Sequence, residues 1–140
     1  MNAEVRITKL HLTVGIGMVP TVAIEANGAF HTECAADSSE PADVYELVTR
    51  AVNAAVAVEN VSVLTRSTTT LKKTVGANGQ WREVLRDRVT VRLRAGSYTT
   101  RNIGGEANDP VWAFLRAYVA ALNYLFRQTD VARSIVLSGE

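Results

Sequence analysis

Apolar positions along this chain change spacing several times, and each change marks an element. Residues 6–14 alternate loosely, with Ile7, Leu10, Leu12 and Val14 as the apolar set. They read as a strand that Gly15 and Gly17 then break. Val22, Ile24 and Ala26 share one face of a second strand over residues 21–26. Asn27-Gly28 is a strong hairpin signal, because a tight primed turn needs positive φ at both central positions. Residues 29–35 are therefore expected to return as a third strand. The polar loop Asp37-Ser38-Ser39-Glu40 leads to Pro41, which suits a first helical turn because it has no N–H to lose there. Asp43 and Glu46 would lie near the positive end of the helix dipole. Val44, Leu47, Val48, Ala51, Val52, Ala55 and Val56 then recur every three or four residues, predicting a helix over 41–57.

The second half starts with residues 60–71, rich in Val and Thr, which read as a strand, followed by a loop with Gly76, Asn78 and Gly79. Val89, Val91 and Leu93 alternate with Thr90, Arg92 and Arg94, the pattern of a half-buried strand. Gly96-Ser97 turns the chain into a short strand over 98–103, and Gly104-Gly105 breaks it. Asn108-Asp109-Pro110 is a second helix start, with Asp109 as N-cap. Val111, Phe114, Leu115, Tyr118, Val119, Leu122, Leu125 and Phe126 form a second stripe and predict a helix over 110–127. Residues 131–137 are apolar and fit either a strand or a helix.

The two halves have the same order of parts. Pro41 and Pro110 are 69 positions apart, as are Thr21 and Thr90. One strand-and-helix unit can cover only one sheet face, and two units back to back bury both. The expectation is a single α+β domain over residues 1–140. It would be internally duplicated as strand-strand-strand-helix units with pseudo-twofold symmetry, its helices packed on antiparallel sheets. The halves are placed at 6–58 and 60–128, with a tail at 129–140.

Composition narrows the function classes. A chain of 140 residues, 47% hydrophobic and 21% charged, has the balance of one globular domain. It is too short for a (β/α)₈ barrel, which needs about 200 residues. Fifteen basic and 14 acidic residues leave a net charge of +1 without a charged tail, giving no support for nucleic-acid or membrane-surface binding. No apolar run approaches the roughly 20 residues of a membrane span. Glu4, Arg6 and Lys9 interrupt any signal-peptide core. The single cysteine, Cys34, excludes an intrachain disulfide and a thiolate zinc site and fits a reducing cytoplasm.

Candidate chemistry is sparse. Cys34 and His31 are three apart on a strand and point to opposite faces, so they form no nucleophile–base pair, and Cys34 reads as a small core residue. His11 and His31 could face each other across a strand pair. A metal would still require a third ligand such as Glu33, so two ordinary strand histidines are expected, with no metal or cofactor. Neither Gly15-x-Gly17 nor Gly104-Gly105 is a dinucleotide fingerprint. Gly104-Gly105 does precede a helix start, where backbone N–H groups can hold a carboxylate; a plain turn is the competing reading. Ser67-Thr68-Thr69-Thr70 reads as a solvated strand face. Arg82, Arg86, Arg88, Arg92 and Arg94 read as an exposed strand face balanced by Glu83 and Asp87. Phe114 and Tyr118 lie on the second stripe and belong to the core, with Phe126 as core or interface. Trp112 lies off the stripe, as an interface aromatic would.

Asn108-Asp109-Pro110-Val111, followed by Arg116-Ala117-Tyr118-Val119-Ala120-Ala121-Leu122-Asn123, resembles the C-terminal regulatory domain of the α-isopropylmalate synthase family, which includes citramalate synthases. Pro20-Thr21-Val22-Ala23-Ile24 resembles that family's Pro-x-Ala-x-Val strand, and Pro41-x-Asp43 its first helix start. The resemblance covers residues 7–127. It implies a homodimeric domain of branched-chain amino acid (leucine) biosynthesis that binds a branched-chain amino acid, or a similar small carboxylate, as feedback effector. Catalysis in the family sits on a separate metal-dependent barrel that condenses acetyl-CoA with a 2-oxo acid. This chain has no such barrel and is not expected to be a synthase by itself. The implied ligand site lies between residues 37–41 and 104–110, at Ser39, Glu40, Pro41, Gly104, Gly105, Asn108, Asp109 and Val111. A carboxylate would sit at 104–108 and an ammonium on Asp109 or Glu40, although an N-cap aspartate needs no ligand. Ser39 and Glu40 replace glycine and asparagine of the family's first loop; they narrow the backbone approach, and Glu40 repels a carboxylate.

Three roles fit this reading: a free-standing regulatory module acting on a separate synthase, a domain cut from a longer synthase, or a small enzyme or small-molecule-binding protein reusing the fold for another ligand. Met1 and the polar end at Gly139-Glu140 read as a complete short protein.

Overall fold

A computed structural model describes residues 5–13, 21–34, 44–56, 58 and 60–127. Strands β1 (Ile7–Thr13), β2 (Thr21–Ala26) and β3 (Ala29–Cys34) form an antiparallel meander, and α1 (Val44–Ala55) follows. A second antiparallel sheet holds β4 (Val61–Ala77), β5 (Gln80–Ala95), β6 (Tyr98–Thr99) and β7 (Ile103–Ala107), and α2 (Pro110–Phe126) follows. Helix α1 packs on β2 and β3, α2 packs on β5 and β7, and the helices touch each other. The fold is α+β, with helices on two antiparallel sheets. Residues 14–20, 35–43 and 128–140, which include Gly15, Gly17, Ser39, Glu40, Pro41 and the expected tail segment, lie outside the described residues.

The apolar alternation places the core. Val22, Ile24 and Ala26 of β2 are fully buried, and so are Val91, Leu93 and Ala95 of β5, each 69 positions further on. Two polar side chains of α2 join the first half to the second. Asn123 accepts from Val5 N at 2.8 Å and donates to Val5 O at 3.2 Å. The Tyr118 hydroxyl donates to Asn53 Oδ1 of α1 at 2.5 Å. Phe114 and Tyr118 are core residues as expected, Phe126 lies at its edge, and Trp112 is partly buried against it.

The ends of the elements follow local chemistry. At α2, Asp109 is the N-cap, its Oδ1 accepting from Trp112 N at 2.9 Å, and Pro110 opens the helix. Asn27 and Gly28 have φ of 51° and 82°, the primed turn that the dipeptide predicts.

Several expectations are corrected. The strand expected over 60–71 runs to Ala77, and β5 starts at Gln80, so the loop expected around Gly76 is part of a long two-stranded ribbon. Asn78 and Gly79, with φ of 55° and 78°, make its turn. Gly76 is accommodated in the ladder because the Trp81 ring, directly opposite, occupies the space a Cβ would fill. The strand expected over 98–103 is cut after Thr99. There Thr100 turns its hydroxyl to accept from Leu93 N at 3.0 Å and donate to Arg101 O at 2.8 Å. Gly104 and Gly105 do not break the chain; they are central residues of β7, paired with Thr90 and Val89. Cys34 is exposed rather than buried, because it shares with Phe30 the face of edge strand β3 opposite His31 and Glu33. His11 pairs through Ala23 with Thr32, whereas His31 pairs with Ile24, so the two histidines lie on opposite faces of their sheet.

The arginine face is a strand face as expected, but its balance differs. Arg82, Arg86, Arg88, Arg92 and Arg94 occupy alternate positions of β5 opposite the core face, whereas Glu83 and Asp87 lie on the core side. Glu106 of β7 balances them instead, paired with Lys73 and Arg88. Arg92 and Arg94 donate to Thr100 O and Gly96 O.

Candidate functional site

A cleft of about 220 Å³ lies where the first two turns of α1 and Phe114 of α2 face Val63 and Arg66 of β4; Tyr45, Glu46 and Thr49 complete its lining. Its apolar wall is built by the Tyr45 and Phe114 rings, edge to face at 5.1 Å, together with Val63. Phe114 stacks in turn on Tyr118 at 5.9 Å. The Arg66 guanidinium lies 3.9 Å from the centre of the Tyr45 ring, a cation–π contact that holds its charge over the cleft. Thr49 also lines the cleft, its hydroxyl donating to Tyr45 O at 2.9 Å. Glu46 supplies a carboxylate at the same rim. Tyr45, Glu46 and Arg66 each also engage other groups of the protein.

A β-bulge puts Arg66 there. Val63 pairs with Leu93 and Arg66 with Val91, and the register slips between Val63 and Thr65. Both partners point into the core, so Val63 and Arg66 share a face although they are three apart in sequence. Leu64, the extra residue, is left 40% exposed.

The site residues expected from sequence separate into three groups. Ser39, Glu40 and Pro41 lie outside the described residues. Asn108, Asp109 and Val111 stand at the start of α2, where Asn108 Oδ1 accepts from Arg86 at 2.9 Å and Asp109 caps the helix. Gly104 and Gly105 do not present a helix-start loop. A Cβ on Gly105 would come within 2.5 Å of Ala117 N and 2.6 Å of Ala113 O, so this glycine lets α2 lie directly on β7. A Cβ on Gly104 would meet the Arg88 guanidinium at 3.2 Å, on the opposite face.

Sequence reading missed Tyr45, Glu46, Thr49 and Arg66 as a group. Tyr45 carried a signal, as an aromatic beside rather than on the first helix stripe. Arg66 carried none, since only the bulge turns it to the core side.

Elsewhere, His31 Nε2 lies 2.6 Å from Glu33 Oε2, and Arg50 lies 3.4 Å from the same carboxylate. This cluster holds no nucleophile. Among the described residues no group of three His, Cys, Asp or Glu side chains is placed to hold a metal ion. Among them, too, no helix is long and apolar enough to cross a membrane. Two groups titrate away from their ordinary values. Burial pushes the Tyr118 hydroxyl well above 10.0, against its bond to Asn53, which acts in the opposite direction. The hydrogen bond from Lys73 holds the Glu106 carboxyl below 4.5, against partial desolvation, with the charges of Lys73, Arg88 and Arg86 adding to it.

The chain matches no protein-family model and no curated protein. A functional reading therefore rests on the cleft and on the sequence resemblance.

Proposed function

We propose that this chain is a regulatory and dimerisation module of the α-isopropylmalate synthase type. It binds a branched-chain amino acid or a similar small carboxylate and acts on a separate synthase in the cytoplasm. The observation that carries this reading is the cleft where α1 and Phe114 face β4. Val63, Phe114 and Tyr45 give it an apolar wall, Arg66 a cation and Glu46 an anion. An apolar amino acid presents the complementary set: a carboxylate for Arg66, an ammonium for Glu46 and an aliphatic side chain for the wall. A volume of about 220 Å³ suits a ligand of that size.

None of the expected site residues is among the six that line this cleft; the link to them runs through the helices. Asp109 caps the helix whose fifth residue is Phe114, and residues 39–41 precede the helix that carries Tyr45 and Glu46. In this reading Asp109, Asn108 and Val111 border the ligand, and Gly105 acts by setting the seat of α2. The pseudo-twofold duplication belongs to the same proposal. It is supported by the two strand-meander-then-helix units and by the 69-position spacing of fully buried residues in β2 and β5. In this reading the chain acts by binding rather than by catalysis.

Calorimetric titration with leucine, isoleucine, valine and their 2-oxo acids tests the reading. Binding of an amino acid with a branched side chain is the expected result. Binding of the 2-oxo acids without the amino acids would keep Arg66 as the carboxylate partner and contradict the pairing of Glu46 with an ammonium. No binding by any of the six would contradict the proposal.

A further inference from the structure

The ribbon of β4 and β5 extends past the rest of its sheet. β7 pairs with β5 only as far as Asp87, opposite Ala107, whereas β5 continues to Gln80. Seven residues at about 3.3 Å each give an arm of roughly 20 Å. The β4–β5 ladder is unbroken from Thr65 to Ala77, so the arm is held extended. Strand alternation puts Trp81 and Leu85 on the same side as Val89, Val91 and Leu93, the side that the helices cover at the base. Out on the arm that side is bare: Trp81 is 74% exposed and Leu85 61%. Glu83 and Asp87 lie between and beside them on the same face, with Lys72 of β4 paired to Glu83 at 3.7 Å.

A second surface has the matching character. Ile7 of β1 and Trp112, Leu115 and Val119 of α2 line a groove of about 400 Å³, with Arg116 and Arg127 along it. Arg116 is fixed there by its bond to Glu106 O at 2.7 Å and lies 5.8 Å from the Trp112 ring centre. The arm offers two apolar side chains and the Glu83 carboxylate beside Lys72, with Asp87 at its base accepting from Thr70, and the groove offers apolar walls and two guanidinium groups.

We propose that the arm of one chain docks in the α2 groove of a second copy, and reciprocally, so that the pair exchanges arms about a twofold axis. This rests on the dimer that the regulatory reading implies, and it names the surfaces that make it. Charge complementarity selects the groove: Glu83 and Asp87 approach Arg116 and Arg127, while the arginine-rich face of β5 stays outward. Reciprocity doubles the area: with one arm given and one received, each chain buries roughly 400 Å², below the about 800 Å² per partner of a standard interface and in the range of transient ones.

The test is sedimentation velocity of the full chain at micromolar concentration, with Leu85→Glu on the arm and Ala120→Glu beside the groove. Both positions are exposed, so circular dichroism should be unchanged. Wild type is expected to be a dimer, and each variant alone should weaken self-association by about tenfold or more, as loss of a central interface anchor does. An equimolar mixture should associate more strongly than either variant alone, though less than wild type, because one intact arm then meets one intact groove. A dimer that survives Leu85→Glu unchanged would overturn the arm's role and leave the dimer reading standing. A mixture that associates no more than either variant alone would overturn the arm-to-groove pairing. A monomeric wild type would overturn both this inference and the dimer, while amino-acid binding is scored separately by calorimetry.

Discussion

Tyr118 of α2 and Asn53 of α1 are joined by a hydrogen bond of 2.5 Å, the phenol fully buried and the amide oxygen its acceptor. Tyr118 belongs to the motif that carries the family resemblance, and this bond gives it a structural reason: it ties the two helices together. Removing the hydroxyl leaves a half-buried acceptor without that donor. Tyr118→Phe is expected to cost about 1–2 kcal/mol of stability in urea unfolding. The pH dependence has a definite sign. The folded pKa lies above the ordinary 10.0, so the unfolded chain loses its proton first as pH rises. The contribution of Tyr118 is fully present below pH 10 and fades above it, and Tyr118→Phe should flatten that alkaline loss. A variant as stable as wild type would show the bond to be neutral.

Asn123 is the other motif residue with a structural duty. Its amide satisfies both Val5 N and Val5 O, and the side chain is buried. Asn123→Leu would strand two backbone groups, each costing about 1–3 kcal/mol when buried and unpaired. The expected loss is about 2–4 kcal/mol in chemical denaturation, with amide exchange at Val5 becoming faster.

Gly104 and Gly105 should respond very differently to the same methyl group. At Gly105 the new atom would press on backbone of α2, which cannot give way without moving the helix off β7. Gly105→Ala should lose about 2 kcal/mol or more, in the range of overpacked cores. At Gly104 the neighbour is the mobile end of Arg88, and Gly104→Ala should lie within about 0.5 kcal/mol of wild type. Equal effects in thermal melts would contradict the faces assigned to the two glycines.

Much of the fold could be read from periodicity, and the failures share a cause. β2 and α2 were legible because each has one buried face, which imposes period 2 or 3.6 on the apolar residues. The outer half of the ribbon has solvent on both sides, so nothing buried imposes alternation on Arg82, Glu83, Arg86 and Asp87. Gly76 reads as a loop residue until Trp81 is known to lie across from it. Gly104 and Gly105 read as a break because close helix–sheet packing, which needs a missing side chain, leaves no trace in local pattern. The cleft was not legible: none of the residues that line it is among the expected site residues. Arg66 was hidden because a single bulge at Leu64 reverses the face on which it lies.

Asp109 separates capping from ligand pairing. Asp109→Asn keeps an acceptor for Trp112 N and should leave stability within a few tenths of a kcal/mol, whereas Asp109→Ala should cost about 1 kcal/mol. If the aspartate also faces an ammonium, Asp109→Asn weakens amino-acid binding while the thermal midpoint stays put. Unchanged affinity in that variant would leave capping as its whole role.

The most direct measurement is calorimetric titration of leucine and isoleucine into wild type and into Arg66→Ala. Arg66 lies at an exposed rim, so its removal should leave the fold intact by circular dichroism. A charge-assisted bond to a carboxylate contributes about 1.5–3 kcal/mol, so one or both amino acids should bind wild type and lose about tenfold or more in affinity in the variant. Binding of equal strength in wild type and Arg66→Ala would contradict the cleft as the effector site. Silence from both amino acids, and from valine and the three 2-oxo acids, on a folded wild-type chain would contradict the regulatory function itself.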